Sequence, residues 1–136
     1  MIDKEIIKIA SNTENHGVLD KHTHFSKLKN PICGDEMKIY LIVENDKIKK
    51  FKYECESCIY CQASVSLLSR IAKNKLTEKV KNFGLQAKNC FEKNIKSFDK
   101  EWEEFRMIIT KNNFSRKECL LLPIKTTIDA LSKKNL

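Results

Sequence analysis

The sequence has little glycine and proline, few arginines and no long hydrophobic run. Only 3 glycines and 2 prolines occur in 136 residues, which excludes collagen-like chains and chains made largely of linkers. The longest unbroken apolar stretch, residues 39–43, is far shorter than the ~20 residues that a membrane-spanning helix needs. Hydrophobic residues at 41% and charged residues at 32% are typical of a globular chain, so we expect one domain over residues 1–136.

The basic residues are not concentrated anywhere along the chain. Lysine and arginine total 26 against 18 acidic residues, a net charge of +8, but the lysines alternate with aspartate and glutamate throughout. Nucleic-acid sites usually depend on arginine and on stacking aromatic residues, and neither type clusters here. We therefore expect neither a nucleic acid nor a membrane as a partner.

The beginning of the chain and its cysteines indicate a compartment. Residues 1–6 contain acidic side chains and no extended hydrophobic segment of a secretory signal, so we expect a cytoplasmic protein. In a reducing cytoplasm, a set of 6 cysteines more often binds metal or performs thiol chemistry than forms disulfides.

Hydrophobic periodicity predicts an α+β fold with a small antiparallel sheet and several helices packed against it. Ile2, Ile6 and Ile9 predict a short opening helix, and residues 11–30 lack a period and read as a long loop. A two-residue period predicts a hairpin of strands at about 36–44 and 47–55, joined by a turn at residues 45–46.

After the hairpin the period becomes helical. Residues 59 to about 73 predict one helix, and the later apolar residues predict three more, marked by Leu85, Phe91 and Ile95, by Trp102, Phe105 and Ile109, and by Leu121, Ile124, Ile128 and Leu131. The last helix has two candidate starts. Ser115 and Glu118 fit a capping box, whereas Pro123 fits a first turn, and we favour the later start near Leu120.

Three stretches carry residues suited to metal or thiol chemistry. In the first, Gly34 permits a sharp bend between Cys33 and Asp35, so that both side chains can approach one cation such as zinc or ferrous iron. A plain turn with one buried cysteine is the alternative. The second stretch, residues 55–61, brings three cysteines to the start of a helix, where the helix dipole favours thiolate. The third has Cys119 at another helix entrance, where it could equally be a core residue.

Together these stretches resemble the IscU/SufU/NifU amino-terminal family of iron–sulfur cluster assembly proteins. The motifs that carry the resemblance are Asn-Pro-x-Cys-Gly-Asp at residues 30–35, the second cysteine with Ala-Ser-x-Ser at residues 58–66, and Arg-x-x-Cys-x-x-Leu at residues 116–122. The resemblance covers roughly residues 10–133 and implies a SufE/NifU-like fold. It also implies that Cys33, Asp35, Cys58 and Cys119 form one shallow site.

The resemblance implies two alternative functions for this site. In the first, a pyridoxal-phosphate-dependent cysteine desulfurase supplies sulfur, and a transient [2Fe–2S] cluster forms on Cys33, Cys58 and Cys119 for transfer to apo iron–sulfur proteins. Asp35 is then a labile oxygen ligand. In the second, the protein is a zinc-dependent sulfurtransferase that stimulates the desulfurase. Cys33 is the candidate persulfide acceptor and Cys119 the alternative, and the active unit is expected to be a monomer or a weak dimer.

Departures from the family pattern bear on the choice between these functions. Ser57 replaces the glycine before the second cysteine, Cys61 stands where the family usually has serine, and Glu118 replaces the histidine that the IscU branch has before the third cysteine. The spacing from Cys58 to Cys119 and the presence of Arg116 are closer to the SufU branch. Arg116 is an auxiliary candidate that could steer anionic sulfur species, although a plain surface ion pair is an equal alternative.

Overall fold

The computed structural model describes residues 3–93 and 98–133. Within these residues, four α-helices, three strands and two 3₁₀ helices follow one another along the chain. Their bounds are Lys4–Ala10 for α1, His24–Lys29 for β1, Glu36–Glu44 for β2, Lys47–Glu56 for β3, Ile59–Ile71 for α2, Thr77–Glu92 for α3, Lys100–Met107 and Lys111–Arg116 for the 3₁₀ helices, and Lys117–Leu131 for α4. No helix in the described part of the chain is long and apolar enough to cross a membrane.

The strands form one antiparallel sheet in the order β1-β2-β3, and helices pack against it, so the predicted α+β fold is confirmed. The predicted hairpin is also present. Asn45 and Asp46 join β2 to β3 with φ angles of 53° and 62°. A two-residue hairpin turn with both φ angles positive matches the twist of the strands, which explains why Asn and Asp stand there.

Strand β1 corrects the prediction of a long loop over residues 11–30. It pairs with β2 along its whole length, and Ser26 lies opposite Ile39 on the face that points toward the helices. The buried Ser26 hydroxyl donates a hydrogen bond to the Asp129 carboxylate of α4. A polar residue on the inward face interrupts the alternation by which a strand is recognised in sequence.

The core lies between the sheet and the helices. The inward residues of β2 are Met37, Ile39 and Leu41, all fully buried, and they face α4, which packs across β1 and β2. Helix α2 packs between α1 and α4, and α3 packs on the other side of α4. The start of α4 lies beside the loop between β1 and β2.

The first 3₁₀ helix contributes two aromatic residues to the core. Trp102 and Phe105 are fully buried in the first 3₁₀ helix, and the Trp102 ring stacks on Phe83 with centroids 4.3 Å apart. This helix ends at Met107, so Ile109, although buried, lies beyond it and the predicted extent was too long.

Two other helices differ in detail from their predictions. Helix α1 contains the buried Ile6 and Ile9 as expected, while Ile2 lies outside the described residues. Helix α3 starts at Thr77, and Leu85, predicted for its apolar face, is 64% exposed. Its buried face is instead formed by Val80, Phe83, Gly84, Ala87 and Phe91; the predicted Ile95 lies outside the described residues.

The predicted start of the last helix near Leu120 is wrong, because α4 begins at Lys117, directly after a 3₁₀ helix. Pro123 therefore lies inside the helix and cannot donate the usual hydrogen bond to the Cys119 carbonyl. The Ser64 hydroxyl of α2 donates to the Leu120 carbonyl at 2.6 Å, which fixes this first turn against α2. The alternative capping box does not form either, since the N-cap residue is Arg116 and makes no side-chain cap bond.

Candidate metal centre

The loop between β1 and β2 is folded by its own backbone. The Asn30 carbonyl accepts a hydrogen bond from Gly34 N at 2.8 Å, and the Asn30 N–H donates to the Asp35 carbonyl at 2.7 Å. The Asn30 side chain accepts from Ile32 N at 3.0 Å, and Gly34 has a φ of 78°, which glycine adopts without strain. These bonds close the loop tightly, so that an exposed Cys33 and a buried Asp35 belong to one rigid turn.

The second and third cysteines lie at helix starts. Cys58 is the N-cap residue of α2, with φ −71° and ψ 167°, and is half-buried. Its carbonyl accepts a hydrogen bond from Gln62 N at 3.0 Å, which holds the first turn. Cys119 lies in the first turn of α4 and is 5% exposed.

Three of the four predicted ligands come together in space. One ligand atom each from Cys33, Asp35 and Cys119 lies within 4.8 Å of the other two. Cys58 is outside this group of three, but it lies near enough to Cys119 to raise the pKa of that thiol. The arrangement therefore has three close donors and a fourth thiol beside one of them.

The buried carboxylate and the neighbouring thiols of this group favour the binding of a cation. Asp35 Oδ2 is buried and has no hydrogen-bond partner, a costly state for a carboxylate oxygen. Burial raises the pKa of the Cys119 thiol, and contact with Cys58 and the nearby Cys33 and Asp35 raise it further. A divalent cation would satisfy the carboxylate and favour the thiolate. Sulfur and oxygen donors together suit zinc or ferrous iron, so the residues present fit such an ion.

Arg116 is the N-cap residue of α4, three residues before Cys119. It is exposed, and its guanidinium carbon lies 5.2 Å from the centroid of the Tyr60 ring. Among the described residues it makes no ion pair, so the simple surface salt bridge considered from sequence is absent. Glu118, which stands before Cys119, pairs instead with Lys125 at 3.4 Å.

The remaining cysteines do not join the group of three. Cys55 ends the inward face of β3 opposite Met37, and Cys90 lies on α3, both half-buried. Cys61 lies in the first turn of α2 and is fully buried. Burial raises the pKa of both the Cys55 and the Cys61 thiols.

Sequence reasoning missed the residues that hold the centre in shape. The Asn30 side chain closes the first loop and Ser64 anchors the first turn of α4. Asn before Pro is a common turn signal, so Asn30 could have been found. Nothing in the sequence pairs Ser64 with Leu120, because the two residues are distant in the chain.

The chain is similar to known proteins over most of its length. The model of the NifU-like N-terminal domain family matches residues 1–97, which include Cys33, Asp35 and Cys58 but not Cys119. The iron–sulfur cluster assembly scaffold protein IscU of Thermotoga maritima is 30% identical over 133 residues, which is 98% of this chain and 94% of that protein. The zinc-dependent sulfurtransferase SufU of Bacillus subtilis is 31% identical over 64 residues, 47% of this chain and 43% of that protein.

Solved structures share the fold. The N-terminal NifU-like protein of Brucella abortus superposes with a TM-score of 0.89 at 18% identity, covering 96% of this chain and 91% of that one. FiSufU from Fervidobacterium islandicum AW-1 superposes with a TM-score of 0.85 at 27% identity, covering 96% of both chains.

Proposed function

Because the chain belongs to the NifU-like N-terminal domain family, we propose that it is a scaffold on which an iron–sulfur cluster is assembled and then passed on. The observation that carries the proposal is the convergence of Cys33, Asp35 and Cys119, with one carboxylate oxygen left without a partner. The cluster is the cargo of such a protein, so the site must bind it and later release it.

The positions of the donors suggest how sulfur arrives. Cys33 is the exposed thiol of the group, so a pyridoxal-phosphate-dependent cysteine desulfurase can reach it first. The Cys33 thiolate attacks the outer sulfur of the persulfide on the desulfurase, and the electron pair of the broken S–S bond leaves with the desulfurase cysteine. Cys119 is less accessible and is the alternative acceptor.

The donors also suggest how the cluster is held and released. Cys33, Cys58 and Cys119 would supply thiolates to a [2Fe–2S] cluster, and Asp35 would supply an oxygen. A carboxylate binds iron less firmly than thiolate does within a sulfur-rich site, so exchange at Asp35 would open the cluster to an apo-protein acceptor.

Anaerobic reconstitution tests the scaffold proposal. The protein is mixed with a cysteine desulfurase, cysteine and ferrous iron, and the visible absorbance of a cluster and its transfer to an apo-ferredoxin are followed. We expect both signals for the parent and for Cys90→Ser, a matched control on α3, and neither for Cys33→Ser or Cys119→Ser. Cluster formation undiminished in both of the latter variants would contradict the proposed site.

A zinc-dependent sulfurtransferase is the second candidate. It is favoured by the raised pKa of Cys119, since a thiol that keeps its proton in the metal-free protein needs a cation to become a thiolate. Bound zinc would keep the cysteines of the centre deprotonated. Cys33 would accept the sulfur as above. Arg116, which is exposed, would attract the anionic persulfide.

Metal analysis during turnover separates the two candidates. Stoichiometric zinc that persists while the protein stimulates the desulfurase, without cluster absorbance, would exclude the scaffold and support the sulfurtransferase. Loss of zinc together with the growth of cluster absorbance would do the reverse. If the desulfurase runs no faster and no cluster forms, both candidates are wrong and the ion is structural.

A further inference from the structure

Cys58 and Cys61 form a dithiol at the start of α2, and neither proposed function uses Cys61. Cys58 is the half-buried N-cap residue, whereas Cys61 lies one turn further and is fully buried. Dithiol oxidoreductases share this pattern, in which two cysteines separated by two residues begin a helix and the first is the accessible one.

The geometry allows the two sulfur atoms to bond. Cysteines separated by two residues at the start of a helix form reversible disulfides in dithiol oxidoreductases. The bond needs Cβ atoms roughly 3.5–4.5 Å apart. Cys58 has an extended backbone outside the helix, and its side chain makes no cap bond, so its thiol can turn toward Cys61 with the helix intact.

The dithiol is connected to the metal centre through Cys58. Cys58 is the neighbour that most raises the pKa of Cys119, and the Cys119 ligand atom lies within 4.8 Å of those of Cys33 and Asp35. A sulfane sulfur that passes from Cys33 to Cys119 can therefore move to Cys58 by one further thiol exchange, and Cys61 lies three residues after Cys58.

We propose that Cys58 and Cys61 reduce the sulfane sulfur that reaches this centre and release it as hydrosulfide. The inference rests on the proposed delivery of persulfide sulfur. Cys61 sulfur attacks Cys58 sulfur of a Cys58 persulfide, the persulfide S–S bond breaks, and its electron pair leaves with the terminal sulfur, which takes the Cys61 proton. The products are a Cys58–Cys61 disulfide and HS⁻, so two thiol sulfurs are oxidised and one sulfane sulfur is reduced.

This step would supply the sulfide that cluster assembly requires. A persulfide carries sulfur at the oxidation level of the element, whereas a cluster contains sulfide, so each sulfur must gain two electrons. One dithiol provides two electrons, and an external dithiol reductant of the thioredoxin class would then reduce the Cys58–Cys61 disulfide for the next cycle.

Cys55 and Cys119 are competing thiols, and Cys55 provides the matched control. It lies at the end of β3, half-buried, and the Ser57 hydroxyl lies near both its thiol and that of Cys61. Cys55 is also three residues from Cys58, but it lies in β3, whereas Cys61 lies in the first turn of the helix that Cys58 caps. We therefore expect Cys55→Ser to retain the reaction and Cys61→Ser to lose it.

The test uses metal-free, fully reduced protein without added reductant. One equivalent of sulfane sulfur is supplied as inorganic polysulfide, released hydrosulfide is measured, and disulfides are mapped by alkylation and peptide mass spectrometry. The parent and Cys55→Ser should release hydrosulfide and form a Cys58–Cys61 disulfide. Cys61→Ser and Cys61→Ala should keep the sulfur as a persulfide and release hydrosulfide at least ~10-fold more slowly.

Either of two results would overturn the inference. One is hydrosulfide release by both Cys61 variants at the parent rate, and the other is a disulfide that joins Cys58 to Cys55 or to Cys119 in place of Cys61. Two Cys61 variants are used because serine places a hydroxyl in an apolar site, and circular dichroism checks that each is folded. Desulfurase stimulation by the same variants is measured separately, so failure of sulfur delivery and failure of the dithiol step are distinguished.

Discussion

Replacing Asp35 should stabilise the metal-free protein and destabilise the metal-bound one. Asp35 is 8% exposed and its Oδ2 has no hydrogen-bond partner. A buried polar group in this state costs about 1–3 kcal/mol, and Asp35→Ala removes that cost. We therefore expect the unfolding free energy of the metal-free variant to rise by about 1–2 kcal/mol, with Tm higher by roughly 4 °C per kcal/mol for a chain of this size.

Zinc should reverse the order of the two proteins. An ion at about 100 times its Kd stabilises a folded protein by about 2.7 kcal/mol, and each tenfold loss of affinity removes about 1.4 kcal/mol of that effect. Since Asp35 is one of three close donors, its removal should weaken zinc binding by about 100-fold. At the same zinc concentration that loss removes about 2.3 kcal/mol, which is more than the variant gains without metal. In thermal unfolding, Asp35→Ala should therefore have a higher Tm than the parent with a chelator and a lower Tm than the parent with zinc.

The matched control is Asp20→Ala, because Asp20 is an exposed aspartate in the loop before β1. We expect its unfolding free energy to stay within about 0.5 kcal/mol of the parent in both conditions. If metal-free Asp35→Ala were less stable than the parent, or if zinc raised the Tm of both proteins equally, Asp35 would not be an unsatisfied metal ligand.

Three further outcomes follow from the packing and charges described above. Hydrogen bonds from Lys133 and then Ser26 lower the pKa of Asp129, so the stability that they give is present above the usual value of 3.8 and is lost as the pH falls through the lowered pKa. Ser26→Ala should cost about 1–2 kcal/mol in urea unfolding at pH 7, and this cost should shrink as the pH is lowered below 3.8. Trp102→Ala should cost about 3–5 kcal/mol in the same assay, because the ring is fully buried. Arg116→Gln should change stability by less than about 1 kcal/mol but lower desulfurase stimulation, more so at low salt.

The hairpin could be predicted and its neighbouring strand could not, for a physical reason. Residues 36–56 carry both the alternation and the turn residues in one continuous segment, so local sequence contains the whole signal. In β1 the central inward residue is Ser26, which is satisfied only by Asp129, 103 residues away in the chain. A strand whose buried polar residue has a distant partner cannot be recognised from a local pattern.

The start of α4 shows the same limit. Pro123 is favoured in a first turn, and this preference led to a start that was too late. The helix tolerates Pro123 in its interior because contacts from elsewhere hold the turn before it, chiefly the Ser64 hydrogen bond to Leu120. Tertiary packing thus overrides a local preference of roughly 3 kcal/mol.

Only some residues of the candidate centre could be placed together from local sequence. Cys33 and Asp35 could be placed together because Gly34 alone explains the bend between them. Cys119 could be placed with them only through the family resemblance, since nothing local joins the last helix to the first loop. For Cys61 the sequence shows the spacing of three residues from Cys58. It does not show the complete burial of Cys61, because that depends on how α2 packs against its neighbours.

The donors of the centre come from the β1–β2 loop and from the first turn of α4, which are far apart in the chain. An ion bound by both segments would act as a removable crosslink. The β1–β2 loop and the first turn of α4 would therefore separate less often while the ion is bound. A protease that cuts transiently opened loops would therefore degrade empty molecules before loaded ones. Cells could adjust the amount of this protein to the supply of its cargo without any dedicated regulator.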